Sequence, residues 1–411
     1  MVQEQDHSVF QSRLDARFGE MKWLHGERYQ GDEQAFSRYV QALSDAWDHR
    51  SSVLKARDES GDGTHETVGD MPYRESRDYS ELITDFLTLC NQGVDIVRFD
   101  AAYLRRLTDS LGIHEACVEL RMMRMAAEIV CPFVMLLGEP DLEPGDAAVY
   151  FGEPWKPACH LLRNMRLPAY LWHTVAVRDV RLLKHLLGSM QTLPRSFHFL
   201  NDLQCGDAVE WKLDFGFLKQ YSIEEGAHCS YLNDYFMGVW PGSDARGMLA
   251  PDGRGIRGST AALCGIQGAK QEDDADRLER AVRLYVMLHA FLYTLSGIPS
   301  LHEEEEAAFL MDRGRTVHDR IRQFVQLRAA QRVFDNRADV WLLETWNDHV
   351  LGIGRYYEGQ KLLALFNFND NMEIAWIDEP EPYSDLLTDA FREAKAVELP
   401  AFGFAWLVTQ F

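Results

Sequence analysis

Three carboxylates stand where an apolar run of this sequence gives way to polar residues: Asp100, Glu139 and Asp207. The first closes Gly93-Val94-Asp95-Ile96-Val97-Arg98-Phe99-Asp100-Ala101, an apolar strand that ends in Arg-x-Asp-Ala. In an α/β barrel the carboxyl ends of the strands form the active face. Arg98, two residues earlier, points to the same side of the strand as Asp100. An adjacent guanidinium lowers a carboxylate's pKa and orients it, which is what a nucleophilic carboxylate needs. A structural Arg–Asp pair closing a strand would look the same. Glu139 ends the next run, Met135-Leu136-Leu137-Gly138-Glu139-Pro140. Desolvation at such a position can keep a carboxyl group protonated, as a general acid requires. The plain alternative is a solvated Glu opening a loop. Asp207, in Asn201-Asp202-Leu203-Gln204-Cys205-Gly206-Asp207, follows the run near Phe199. It also reads as a turn residue of a Gly-Asp loop. The three together carry more than any one. A retaining glycosidase sets a nucleophile and an acid/base about 5–5.5 Å apart across a sugar bond. Neighbouring barrel strands can hold Asp100 and Glu139 at such a distance.

Two other patterns carry less. Gly253-Arg254-Gly255-Ile256-Arg257-Gly258 has dinucleotide-fingerprint spacing, but it follows Pro251-Asp252 rather than a strand and is expected to be a mobile loop. His302-Glu303-Glu304-Glu305-Glu306 lacks His-Glu-x-x-His spacing and reads as a solvated helix start. No metal and no cofactor are expected.

The elements that must position the carboxylates follow from periodicity. Over residues 8–57, Leu14, Phe18 and Met21, then Phe36, Val40, Leu43 and Trp47, recur at helical spacing and predict a helical domain over 1–57. Asp58 to Asp78 is rich in Gly, Asp, Glu, Ser and Thr and reads as a polar linker. Residues 79–334 alternate short apolar runs with amphipathic segments. The runs include Phe133–Leu137, Phe197–Leu200 and Gly297–Leu301; Leu278, Val282, Tyr285, His289 and Leu292 mark one of the helices. Such alternation predicts a parallel α/β sheet or barrel. From 335 to 411 the period becomes two, with a turn at Glu358-Gly359, and predicts a C-terminal antiparallel β domain.

Composition bounds the partners. Lys plus Arg is 42 and Asp plus Glu is 64, so the formal net charge is 42 − 64 = −22. That surface repels phosphate backbones and acidic membrane faces, so neither nucleic acid nor membrane is an expected partner. The acidic, polar amino terminus is unlike a secretory signal. The seven scattered cysteines form no Cys-x-x-Cys pair. Both features fit a reduced, cytoplasmic compartment.

These residues resemble the α-amylase superfamily, glycoside hydrolase family 13, and within it the amylosucrases. Gly93–Ala102 is similar to the family's nucleophile strand and Phe133–Pro140 to its acid/base strand. Tyr170–Leu183, Ala245-Arg246-Gly247 and Gly258–Leu263 are similar to amylosucrase segments, and residues 8–57 to the amylosucrase helical domain. The resemblance implies a (β/α)8 barrel and retaining α-glucosyl chemistry on sucrose or an α-glucan. Asp100 would be the nucleophile and Glu139 the acid/base. Asp207 would hold the glucosyl ring hydroxyls, and Arg98 would steer Asp100.

The sequence also departs from that family. Only some 35 residues separate the helical domain from the nucleophile strand, and one βαβ unit takes roughly 30 or more. The first three barrel strands are therefore expected to be missing, giving an incomplete barrel. No Asn-His dipeptide occurs, Gly206 replaces the expected His before Asp207, and His302-Glu303-Glu304 replaces Gly-Asp-Glu. An incomplete barrel exposes strand edges. The helical domain, the linker, a second copy of the chain or a partner subunit could cover them. Fewer sugar hydroxyls would find partners. Two readings therefore stand: a retaining glucosyl hydrolase or transglucosidase of reduced activity, and an impaired relative that binds carbohydrate or protein.

Overall fold

The computed structural model describes residues 2–29, 33–60, 67–73, 79–204, 208–301, 305–312, 314–379, 381–388, 390–393 and 395–409. By contact the chain divides into two units, Met1–Arg163 and Asn164–Phe411.

The first unit opens with two long helices, α1 (Val2–Tyr29) and α2 (Glu33–Ser60). Phe10, Leu14, Met21 and Leu24 bury one face of α1, and Phe36, Tyr39, Leu43 and Trp47 one face of α2. Phe18, expected inside, is 38% exposed, and Val40 is only half-buried. Phe10 and Tyr39 complete the apolar stripes instead, and the Phe10 and Trp47 rings meet at 5.2 Å.

Four parallel strands follow: β1 (Val68–Asp70), β2 (Ile96–Phe99), β3 (Met135–Gly138) and β4 (Leu161–Arg163). They pair in that order. β1 lies inside the stretch read as a linker. Val-Gly-Asp carries almost no strand signal, and its pairing with β2 supplies the structure. One strand thus precedes β2 among the described residues. Helix α3 (Tyr79–Asn91) leads into β2; α4 (Ala101–Leu111) and α5 (Ile113–Val130) link β2 to β3. α1 packs on α5 and α2 on α3, so the amino-terminal hairpin covers the helical layer of this sheet. Val97 and Phe99 are fully buried, worth roughly 1.5–3 kcal/mol each.

In the second unit β5 (Phe199–Asn201) pairs in parallel with β6 (Ile298–Pro299). The same unit contains the helices α6 (Leu167–Val177), α7 (Arg181–Gln191), α8 (Glu225–Phe236), α9 (Ala275–Thr294) and α10 (Val317–Ala330). The glycine-spaced segment 253–258 is not simply a loop, because Gly255–Arg257 is the central strand of a small antiparallel sheet.

The carboxy-terminal part is antiparallel, as its period predicts. Its strands are β7 (Asp339–Leu343), β8 (Val350–Tyr357), β9 (Gln360–Asn367), β10 (Glu373–Trp376), β11 (Pro382–Asp385), β12 (Phe391–Glu393), β13 (Ala396–Leu399) and β14 (Phe404–Thr409). Six form one sheet in the order β7-β8-β9-β14-β11-β12; β10 and β13 form a second. Alternate residues serve two cores. Ile353, Leu362, Ala364, Phe366 and Trp406 pack with Phe291 and Phe324 of the helices. Val350, Leu363, Leu365, Ala405 and Leu407 pack with Ala375, Val397 and Leu399. The β8–β9 turn has positive φ at Glu358 (44°) and Gly359 (86°), the twist that two-residue hairpins favour. Arg355 is fully buried and donates to the carbonyls of Val333 (2.8 Å), Thr294 (2.8 Å) and Asp335 (2.9 Å). No helix among the described residues is long and apolar enough to cross a membrane.

Candidate active site

Register brings the charged residues of the first unit together. Asp70 pairs with Arg98 across β1 and β2, Phe99 with Gly138 across β2 and β3, and Gly138 with Leu162 across β3 and β4. Asp100 follows Phe99, Glu139 follows Gly138 and Arg163 follows Leu162. All three therefore stand at one level, at the carboxyl ends of adjacent strands. The Glu139 N–H donates to the Phe99 carbonyl at 2.9 Å, which extends the ladder one step past β3. Gly138 leaves room for the Leu162 side chain, since a Cβ there would stand 2.8 Å from Leu162 Cδ2.

Glu139 is 7% exposed. Arg163 Nη1 lies 3.1 Å from its Oε1 and Arg98 Nη1 3.8 Å from the same oxygen. Burial raises the Glu139 pKa; Arg163 and then Arg98 oppose it, and the charges of Asp100 and Asp70 add to it. Burial wins, so the group is shifted toward the protonated form that a general acid uses.

Asp100 is exposed and caps α4, its Oδ1 accepting from the Tyr103 N–H at 2.6 Å. Its charge reaches both Arg98 and Glu139. Arg98 does not hydrogen-bond Asp100, the partner its sequence position suggests. Its Nε and Nη2 bind Asp70 Oδ1 and Oδ2 at 2.6 and 3.0 Å, and this bond is the largest of the effects that raise its pKa. A neighbouring strand offers a straight two-point contact, and the Asp100 carboxylate is turned to the helix it caps.

Asp207 lies outside the described residues. The carboxylate directly after β5 is Asp202, which is 1% exposed. Asn201, before it, donates to the Ser296 carbonyl at 2.8 Å and so ties β5 to the approach to β6. Three residues of interest went unread in the sequence. Asp202 had a usable signal, since it ends the apolar run itself, five residues before Asp207. Asp70 and Arg163 had none beyond their strands. Among the described residues no cluster of three or more His, Cys, Asp and Glu side chains could hold a metal ion.

Comparison with known proteins bears on this arrangement. No family model matches the chain. The structure of AmyP in complex with maltose superposes with a TM-score of 0.54 at 11% identity, covering 88% of this chain and 77% of that one. The acarbose complex of the α-amylase from Geobacillus thermoleovorans gives 0.50 at 13% identity, over 82% and 65%. The fold is that of the α-amylase-type enzymes. It is a barrel-type α/β architecture with a carboxy-terminal β domain, as the sequence resemblance implies. By sequence, the glucosylglycerate phosphorylase of Spirochaeta thermophila is 27% identical over 143 residues, which are 34% of this chain and 24% of that enzyme. The chain thus aligns with about a quarter of that relative's length.

Proposed function

We propose that the chain is a retaining α-glucosyl hydrolase or transglucosidase of amylosucrase type, working on sucrose or an α-glucan through a covalent glucosyl–enzyme. One observation carries the reading: Asp100 and Glu139 each follow one member of the directly paired residues Phe99 and Gly138. Adjacent strands are about 4.8 Å apart. That spacing suits the roughly 5–5.5 Å between carboxyls of retaining enzymes better than the 6.5–9.5 Å of inverting ones. Asp100 attacks the anomeric carbon as the bond to the leaving oxygen breaks, and that oxygen takes the Glu139 proton. Glu139, now ionised beside Arg163, takes a proton from water or an acceptor hydroxyl. The freed oxygen then displaces Asp100 from the sugar. Arg98 contributes charge to the sugar-facing side. Asp207 remains the proposed stabilising carboxylate, with Asp202 as its competitor. The barrel on this reading is incomplete, with β1 where a full barrel would have three strands before β2. A reduced, cytoplasmic setting and a second copy or partner subunit over the open edge belong to the same reading. The relative's name adds glucosylglycerate and phosphate to the donors and acceptors to be tried.

A second reading has its own support. Arg98 is engaged by Asp70, and Asp100 caps a helix. Both favour an impaired relative that binds carbohydrate or protein without turnover.

The test is glucose or glucose 1-phosphate release from sucrose, maltoheptaose and glucosylglycerate with phosphate, in wild type and Asp100→Asn. Mass spectrometry after reaction with 5-fluoroglucosyl fluoride should find one covalent glucosyl adduct, absent from the variant. Equal, slow release by both proteins, with calorimetric binding of maltooligosaccharides, would instead support the second reading.

A further inference from the structure

His173 stands on α6 among apolar neighbours and is 2% exposed. Among the described residues neither of its ring nitrogens has a hydrogen-bond partner. His228, half-buried on α8, faces it with ring centres 5.0 Å apart and planes inclined at 56°. The His228 Nε2 is also buried and without a partner. Both helices belong to the second unit. An unsatisfied buried polar atom is destabilising, and native structures contain few. Here three ring nitrogens of two touching imidazoles share that condition.

A neutral imidazole carries one free lone pair. Such a donor suits Zn²⁺, Cu²⁺ or Ni²⁺, whereas Mg²⁺ and Ca²⁺ take oxygen ligands. An ion about 2.0–2.1 Å from one nitrogen of each ring, at a tetrahedral angle, puts the ring centres roughly 5 Å apart. The observed separation is 5.0 Å. The Asp179 charge reaches His173, although its carboxylate is itself bound by the Arg181 guanidinium at 2.9 Å. It offsets part of a dication's charge without serving as a donor.

We propose that His173 and His228 form a two-histidine site for a late first-row divalent cation, represented by Zn²⁺, that joins α6 to α8. The protein supplies two donors and water the others. Both ligands belong to the second unit, and the site does not depend on glucosyl chemistry.

Full-length protein stripped with a chelator and titrated with zinc chloride should bind one equivalent in the micromolar range by calorimetry. Its melting midpoint should rise by a few degrees, and magnesium should do neither. Cobalt should give the visible absorption of a nitrogen-bound tetrahedral ion. His228→Gln, on a half-exposed helix face, should weaken zinc binding at least about tenfold while leaving the metal-free melt unchanged. His173→Phe should do the same if it folds, and His228→Gln carries the test if it does not. Zinc binding of unchanged affinity in His228→Gln would overturn the proposal. So would a cooperatively folded wild type that takes up no zinc at millimolar concentration.

Discussion

Arg98 closes on Asp70, not on Asp100: two of its nitrogens meet the Asp70 oxygens at 2.6 and 3.0 Å, and a third faces Glu139 at 3.8 Å. The proposed acid/base thus sits between a guanidinium held by another carboxylate and a second one, Arg163, at 3.1 Å. Its proton affinity is a balance of burial against these two charges, and the balance can be tipped either way.

Asp70→Asn and Arg163→Gln should move Glu139 in opposite directions. Removing Asp70 deletes a charge that raises the Glu139 pKa and releases Arg98 toward it, so the pKa falls. Removing Arg163 deletes the largest opposing charge, so the pKa rises. Carboxyl carbon NMR of Glu139, or the basic limb of the kcat/KM profile, should shift down in the first variant and up in the second.

Glu139→Gln should stabilise the fold at neutral pH and not in acid. The folded pKa is raised above the ordinary carboxyl value of about 4.3. Between those two values the unfolded chain has released the proton and the folded chain has kept it. Stability is therefore lost as pH climbs through that window. Glutamine mimics the protonated form throughout. Urea midpoints of wild type and variant should coincide near about pH 3 and separate, with the variant higher, near about pH 7.

Asp100 has two separable duties. Asn caps a helix about as well as Asp, so Asp100→Asn should leave stability within about 0.5 kcal/mol, whereas Asp100→Ala should cost about 1 kcal/mol. As nucleophile variants both should lose at least about 10³-fold in turnover, on the order of 4 kcal/mol of barrier. Chemical denaturation and donor hydrolysis, measured on the same preparations, test the two duties independently.

Arg355→Met should be the most damaging of these substitutions to stability. It orphans the carbonyls of Val333, Thr294 and Asp335 inside the second unit. A loss of about 3–5 kcal/mol is expected, read as a lower urea midpoint with an unchanged slope.

What the sequence disclosed follows from how far each signal acts along the chain. The runs at 96–99 and 135–138 are apolar enough to announce strands, and both end in the residues that carry the candidate chemistry. The carboxy-terminal alternation likewise held, since β8, β9 and β14 each face two cores. β1 and β4 are three residues each, and pairing creates them. The partner of Arg98 lies 28 residues upstream on one of those silent strands. In α1 and α2 the helical period was legible and its phase was not: Phe10 and Tyr39 face inward where Phe18 and Val40 were expected.

The division of β8, β9 and β14 between two cores limits how this region can change length. A single residue inserted just before Leu362 would send Leu362, Ala364 and Phe366 to the side now held by Leu363 and Leu365, exchanging the residues that β9 gives to the two interiors. Length variation among related chains should therefore collect at turns such as Glu358-Gly359, while the interiors of the strands keep a fixed count.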